Sequence, residues 1–266
     1  MLNEHARTGT PRAVVALFAT IMSLATVGCA THYATPGRAA DFKKLGVSRE
    51  ALTDAGIDQT LAKPPLASFP CGIAVVRVQA PDYHSDSAQS YGTGNYCVIT
   101  TRDIETDKDW QQLMKLPMVT GIAPVNRLLL PAQLNTDLEL RQAAASLHAD
   151  MLLIYTIDTT FHVEDHAAPL TVLTLGLSPN QTAQVVSTAS AVLLDTRNGY
   201  LYGFSEATDK GFQITSAWTT ASAIEDARKR TESRAFEKLV KGVGATWGDV
   251  IKRFASGPKV SAAAGS

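Results

Sequence analysis

Two runs of alternating histidines and acids are the residues of this 266-residue chain whose types and spacing could do chemistry. His162, Glu164 and His166 recur at every second position. An extended strand aims such residues to one side, and two imidazoles with a carboxylate make a zinc-binding set. Asp82, His84 and Asp86 repeat the alternation within a stretch rich in Ser, Gly and Tyr. Against the metal reading, the first run falls where a strand leaves for a hairpin tip, a solvated place where polar residues gather anyway. The second run has no strand to fix it. Other motifs break at one position. Gly203-Phe204-Ser205-Glu206-Ala207 lacks the second Gly of a nucleophile elbow. Gly92-Thr93-Gly94 lacks the Lys-Ser/Thr that follows in a phosphate loop. No Cys-x-x-Cys is present. The residues therefore predict no catalytic set and no cofactor, and leave His162, Glu164 and His166 as weak metal candidates.

Composition narrows the classes further. The chain is 45% hydrophobic and 18% charged, which excludes a disordered or collagen-like chain. It carries 24 basic and 25 acidic residues. Its longest basic run is Arg228-Lys229-Arg230, so it lacks the patch that displaces counterions from phosphates, and no nucleic-acid partner is expected.

The N-terminus reads as an address. Arg7 and Arg12 precede an uncharged stretch, Ala13 to Val27, followed by Gly28 and Cys29. A basic start, an apolar core and a small residue before the cut make an export signal. The apolar stretch is shorter than the ~20 residues that a membrane span needs. Leu24-Ala25-Thr26-Val27-Gly28-Cys29 resembles the lipobox of bacterial lipoproteins, with Thr26 the departure from its pattern. The resemblance implies that Cys29 becomes the first mature residue and carries acyl chains, palmitate among them. It also implies the outer membrane, because Ala30 is not Asp. An ordinary secretory signal with a chance Cys is the plainer alternative.

With Cys29 acylated, Cys71 and Cys97 remain in an oxidising compartment, and an even remainder allows one disulfide. A simple hairpin would set Cys97 opposite about Val78, leaving Cys71 some 23 Å along the ladder, beyond the ~7 Å that a disulfide spans. Two buried thiols are the alternative.

Four regions follow: a signal at 1–28, a tether with a short helix at 29–65, one α/β periplasmic domain at 66–255, and a disordered tail at 256–266. Ser48 caps the expected short helix at 48–55, with Glu50 in its first turn. Strands fit Gly72–Val78 and Tyr96–Thr101. A helix fits 107–115, capped by Thr106. An extended piece lies at 119–123. Thr136-Asp137-Leu138-Glu139 is a capping box that opens the next helix. Then strands dominate: 151–164, 170–177, 183–194 and 200–206, with Asp195–Gly199 as a hairpin turn. The first of these runs puts Leu153, Tyr155, Ile157, Thr159, Phe161 and Val163 on one face. Tyr200, Tyr202 and Phe204 share a face of the last and read as core. The loop 81–94, with Tyr83 and Tyr91, reads as an adaptable contact loop. A final helix spans 220–240 and resumes to 254.

This order predicts an α/β (α+β) sandwich: a mostly antiparallel sheet packed by two to three helices, with a long C-terminal helix. The runs Ala149–Thr156 and Ser190–Gly199, followed by that helix, resemble envelope lipoproteins of the curli-secretion-lipoprotein and penicillin-binding-protein-activator type. The N-terminal domain of the Tol translocation protein shares the layout. The resemblance is one of element order and transfers no functional residue. It implies a non-catalytic, membrane-anchored factor that faces the periplasm and binds another envelope protein. An oligomeric secretion-pore subunit and a hydrolase with a dispersed site are the competing readings.

Overall fold

A computed structural model of the chain describes residues 36–46, 53–85, 87–165, 181–215 and 220–255. Cys29, Asp86, His166 and the expected strand 170–177 lie outside them. In chain order the elements are α1 (Asp54–Ala62), β1 (Cys71–Gln79), β2 (Ser90–Tyr91), β3 (Thr93–Gly94), β4 (Cys97–Ile99), α2 (Asp107–Met114), β5 (Val119–Pro124), β6 (Gln133–Leu134), α3 (Asp137–Ser146), β7 (Met151–Asp165), β8 (Gln181–Asp195), β9 (Leu201–Thr215) and α4 (Thr220–Val250). The architecture is the mixed α/β sandwich with a long C-terminal helix that the element order predicts.

Seven strands form one sheet in the order β2-β4-β1-β7-β8-β9, with β5 also on β1. The pairing is antiparallel except at its centre, where β1 runs parallel to both β5 and β7. β1 is apolar and β-branched because both its faces are covered, as a central parallel strand requires. Ile73 and Val75 point to the layer formed by α2 and α4, among Trp110, Leu113, Phe236, Leu239, Val243 and Trp247. Ala74, Val76 and Val78 point to the opposite layer, among Leu140, Ala143 and Ala144 of α3.

Local signals set the helix starts. Thr136 and Glu139 close the expected capping box on α3, the Thr136 N–H donating to the carboxylate at 3.0 Å. α2 carries a box of its own in which Asp109 does the work of the usual Glu. The short helix expected at 48–55 falls mostly outside the described residues, and α1 begins at Asp54. Thr53 is its cap and accepts from the Gly56 N–H at 3.2 Å, while Ser48 and Glu50 lie outside the described residues. Part of the expected tether is domain: Ala40 and Leu45 are buried in the α3 layer, and Ala39 bridges Gln79.

β1 and β7 pair only from Ile73–Met151 to Val76–Ile154. Beyond that point Gln79 stands in for a strand. Its amide donates to the Ile157 carbonyl at 2.9 Å and accepts from the Ile157 N–H at 3.0 Å and the Thr156 hydroxyl at 2.6 Å. β7, β8 and β9 run on together as three strands of 15 residues, and α4 lies over one face of them. The approach is close enough that a Cβ on Gly203 would sit 2.6 Å from Thr246 Cγ2, and one on Gly211 would collide with Thr231. Gly242, Gly244 and Gly248 leave α4 unbroken.

The disulfide expectation is corrected. Cys71 and Cys97 are both free and buried. Gln79 pairs with Cys97, so Cys71 stands at the other end of β1, about 26 Å along the strand. Burial, with Asp150 nearby, pushes the Cys71 thiol up to about 12, and burial pushes the Cys97 thiol up to about 11. Thiolate is the reactive form, so both thiols are inert at neutral pH. Under native, non-reducing conditions an aromatic disulfide reagent is expected to leave both unlabelled. In denaturant without reductant both should be labelled; a mass showing neither labelled would establish the bond.

Substituting Gln79 with Met should strand the Ile157 amide and the Thr156 hydroxyl. The expected loss is about 1–3 kcal/mol of unfolding free energy, read from urea titration.

Candidate functional site

The densest set of ionisable groups is inside the protein. Arg77 lies near the end of β1 and Arg228 in the first half of α4, and both are 2% exposed or less. Two guanidiniums in an apolar sandwich demand partners, because a buried charge left unpaired costs several kcal/mol. The loop 100–106, which leads from β4 to α2, supplies Asp103 and Glu105. α4 supplies Glu225 and Glu232 at helical spacing around Arg228. Arg77 Nη1 donates to Asp103 at 2.9 Å and to Glu105 at 3.5 Å. Its Nη2 lies 3.6 Å from Glu232. Arg228 clasps Glu225 at 2.6 and 2.9 Å and Glu232 at 2.6 Å.

Hydroxyls complete the set. Tyr155 donates to Glu105 at 2.8 Å, Thr159 to Glu232 at 2.8 Å and Ser87 to Asp103 at 2.9 Å. The Tyr83 hydroxyl accepts from Arg77 at 3.3 Å. Burial works against the charge on Arg77, and Glu105, Tyr83, Glu232 and Asp103 reverse that, holding the guanidinium above its ordinary range. Burial, then Glu105, pushes Tyr155 well up, so it stays a hydroxyl donor. Each carboxylate already accepts from a guanidinium. These guanidinium and hydroxyl partners take up acceptor sites that a general base would turn to a substrate proton.

Above the network lies an open groove of about 470 Å³ between the 102–106 loop and α4. Asp103 to Thr106 line one side; Lys229, Arg230, Ser233, Arg234 and Glu237 line the other. Arg102 is stacked 4.5 Å from the Trp110 ring. Arg234 reaches out of the groove to Asp209 of β9 at 2.6 Å, where Lys238 joins at 2.7 Å. Burial alone would raise the Asp209 carboxyl; hydrogen bonds from Lys238 and Arg234 outweigh it and hold it below the usual carboxylate range. That contribution to stability is present above the ordinary carboxylate pKa and is lost as acid titrates Asp209.

The sequence-level candidates do not converge here. His162 is exposed near the far end of β7, opposite Gln184. The Glu164 side chain and His166 lie outside the described residues. His84 is exposed, with only its neighbour's carbonyl, Asp82 O, at 3.2 Å. No metal-holding group of His, Cys, Asp and Glu occurs among the described residues. The contact loop is corrected in its aromatics: Tyr83 is buried on the network, and Tyr91 donates to Leu130 O at 3.1 Å. The aromatic stripe of β9 also divides. A bulge inserts Tyr202 between Leu201, opposite Leu194, and Gly203, opposite Leu193. Tyr200 and Tyr202 pack on Phe254, while Phe204 turns to the other face and is 74% exposed.

The network is not legible from local sequence pattern. In the sequence Arg228 stands only as a member of the run Arg228-Lys229-Arg230, and Arg77 only as one position of a mostly apolar strand. The signal is present in retrospect: a lone Arg between Val76 and Val78 in a strand buried on both faces must be paired.

Arg228→Met should cost about 3–5 kcal/mol in urea unfolding, because Glu225 and Glu232 lose their counter-charge. Arg234→Met, on a half-exposed pair, should change stability by less than about 1 kcal/mol.

No family model and no curated protein matches the chain. Solved structures give loose likenesses. A protein of the DUF330 family from Xanthomonas campestris is 11% identical over 72% of this chain and 92% of its own, with a TM-score of 0.36. A candidate lipoprotein from Caulobacter crescentus is 15% identical over 45% of this chain and 82% of its own, with a TM-score of 0.25. The PelC dodecamer from Paraburkholderia phytofirmans is 11% identical over 67% of this chain and 93% of its own, with a TM-score of 0.23. Likenesses this loose carry no function across to the present chain.

Proposed function

We propose that the chain is a lipid-anchored protein of the bacterial outer membrane whose domain faces the periplasm, binds another envelope protein and performs no chemistry of its own. The observation that carries this reading is the pairing of the ionisable groups. The Arg77–Arg228 network turns four buried or part-buried carboxylates and two guanidiniums onto one another, and the groove beside it is open relief. An open, charged groove is a contact surface.

The anchor supplies the location. Arg38, whose carbonyl accepts from Ala80 N, is nine positions on from Cys29, so an extended chain would keep Arg38 within about 30 Å of an acylated Cys29. No helix among the described residues is long and apolar enough to cross a membrane. The resemblance to curli-secretion and penicillin-binding-protein-activator lipoproteins accords with a tethered accessory or assembly factor. The pore reading is less favoured, because the open face of β7–β9 presents Asp158, Glu206 and Lys210 where a lipid-facing barrel wall would be apolar.

Fractionation of cells should find the wild type in the membrane and Cys29→Ser in the soluble periplasm, with loss of incorporated labelled palmitate. Membrane attachment of the Ser variant would overturn the anchor. A photo-reactive residue in place of Lys229 should cross-link to one distinct envelope protein, and charge reversal at Arg102 and Arg230 should abolish the adduct.

A further inference from the structure

Among the described residues β9 ends the sheet, and its outer edge is matched in kind about Thr208, with one charged residue and one phenylalanine on each side. The Asp195 N–H donates to Tyr200 O at 2.8 Å, so the odd residues of β8 bond across to β9. In the antiparallel ladder their partners are Gly203, Ser205, Ala207 and Asp209. The even residues of β9 therefore turn their N–H and C=O groups outward. Those residues are Phe204, Glu206, Thr208, Lys210 and Phe212, all exposed on the face away from α4. Phe204 and Phe212 are 74% and 67% exposed, unusual for aromatics on a long edge strand.

We propose that β9 is a homodimer edge: it pairs antiparallel with β9 of a second copy about a two-fold axis through Thr208. Phe204 then stands opposite Phe212 of the second copy, and Glu206 opposite Lys210 of the second copy, each twice by symmetry. Aromatic and opposite-charge pairs are the combinations that stabilise neighbouring strands. The register is selected by charge, because moving the axis to Glu206 or to Lys210 sets like charges opposite each other.

The helix-side face is compatible with this pairing. There Ser205 meets Gly211 of the second copy and Ala207 meets Asp209, so small residues leave room beside α4. Thr246, Lys238 and Arg234 reach the outer carbonyls of Phe204, Thr208 and Lys210 at 3.3, 3.3 and 3.4 Å. Those contacts are long and come from the helix side, and a carbonyl has a second lone pair for an in-plane partner. Asp209 neutralises Arg234 and Lys238, which would otherwise repel their copies. The contact is isologous, so it closes at two chains.

Sedimentation of the detergent-extracted full-length chain tests this. The wild type is expected to be a dimer at micromolar concentration. Glu206→Lys and Lys210→Glu should each raise the dissociation constant by about tenfold or more. The double exchange, Glu206→Lys with Lys210→Glu, should restore the dimer, which loss of folding cannot mimic. Thr208→Cys should give a disulfide-linked dimer on oxidation, and Thr188→Cys, one strand further in, should not. A monomeric wild type, a larger ring, single variants that dimerise as well as the wild type, or a double exchange without recovery would each overturn the proposal.

Discussion

Two arginines inside an apolar sandwich constrain the rest of this fold. Arg77 and Arg228 can stay charged and buried only if acids converge on them from several directions. Those acids come from the 100–106 loop and from the first half of α4. The network therefore fixes three things together: the path of the chain from β4 into α2, the rotation of α4 about its axis, and the position of α4 along β7 and β8. The hydroxyls of Tyr155, Thr159 and Ser87 tie the strands and the loop to the same charges. A hydrophobic packing alone would hold α4 to the sheet but would tolerate sliding; a charge network does not. Breaking it from one side leaves an uncompensated buried charge, which is why its members act as a unit.

From that lock the layout of the surface follows. With α4 fixed over β8 and β9, the odd residues of β9 must be small, and Gly203 and Gly211 are where the helix comes closest. The even residues are left facing water. The bulge at Tyr202 lets Tyr200 and Tyr202 serve the core while Phe204 is turned out. The exposed strip of β9 is thus a consequence of how α4 is seated. The groove beside the 102–106 loop has the same origin, since its floor is the outer side of the ion network.

The functional reading rests on the same economy. The groups that sequence inspection searches for, paired acids and bases in proximity, are abundant here and occupied with one another. Beside them lie an open charged groove and the outer edge of β9, where α4 side chains reach the carbonyls of Phe204, Thr208 and Lys210.

The sequence by itself determined most of the local elements. The capping box Thr136–Glu139, the Asp195–Gly199 turn and the alternation of β7 are local patterns, decided by neighbours within a few residues. They were legible for that reason. Tertiary structure decided what the same residues do. Arg228 looks like one member of a basic run until α4 is rotated onto the sheet. Cys71 and Cys97 can be a bridge or two buried thiols until β1 separates them by its whole length. Gln79 looks like the end of a strand until its amide completes the ladder on Ile157. In each case the deciding partner is remote in sequence, and the energy at stake, of a buried charge, a thiol or an unmade hydrogen bond, exists only once the layers have closed and water has been excluded.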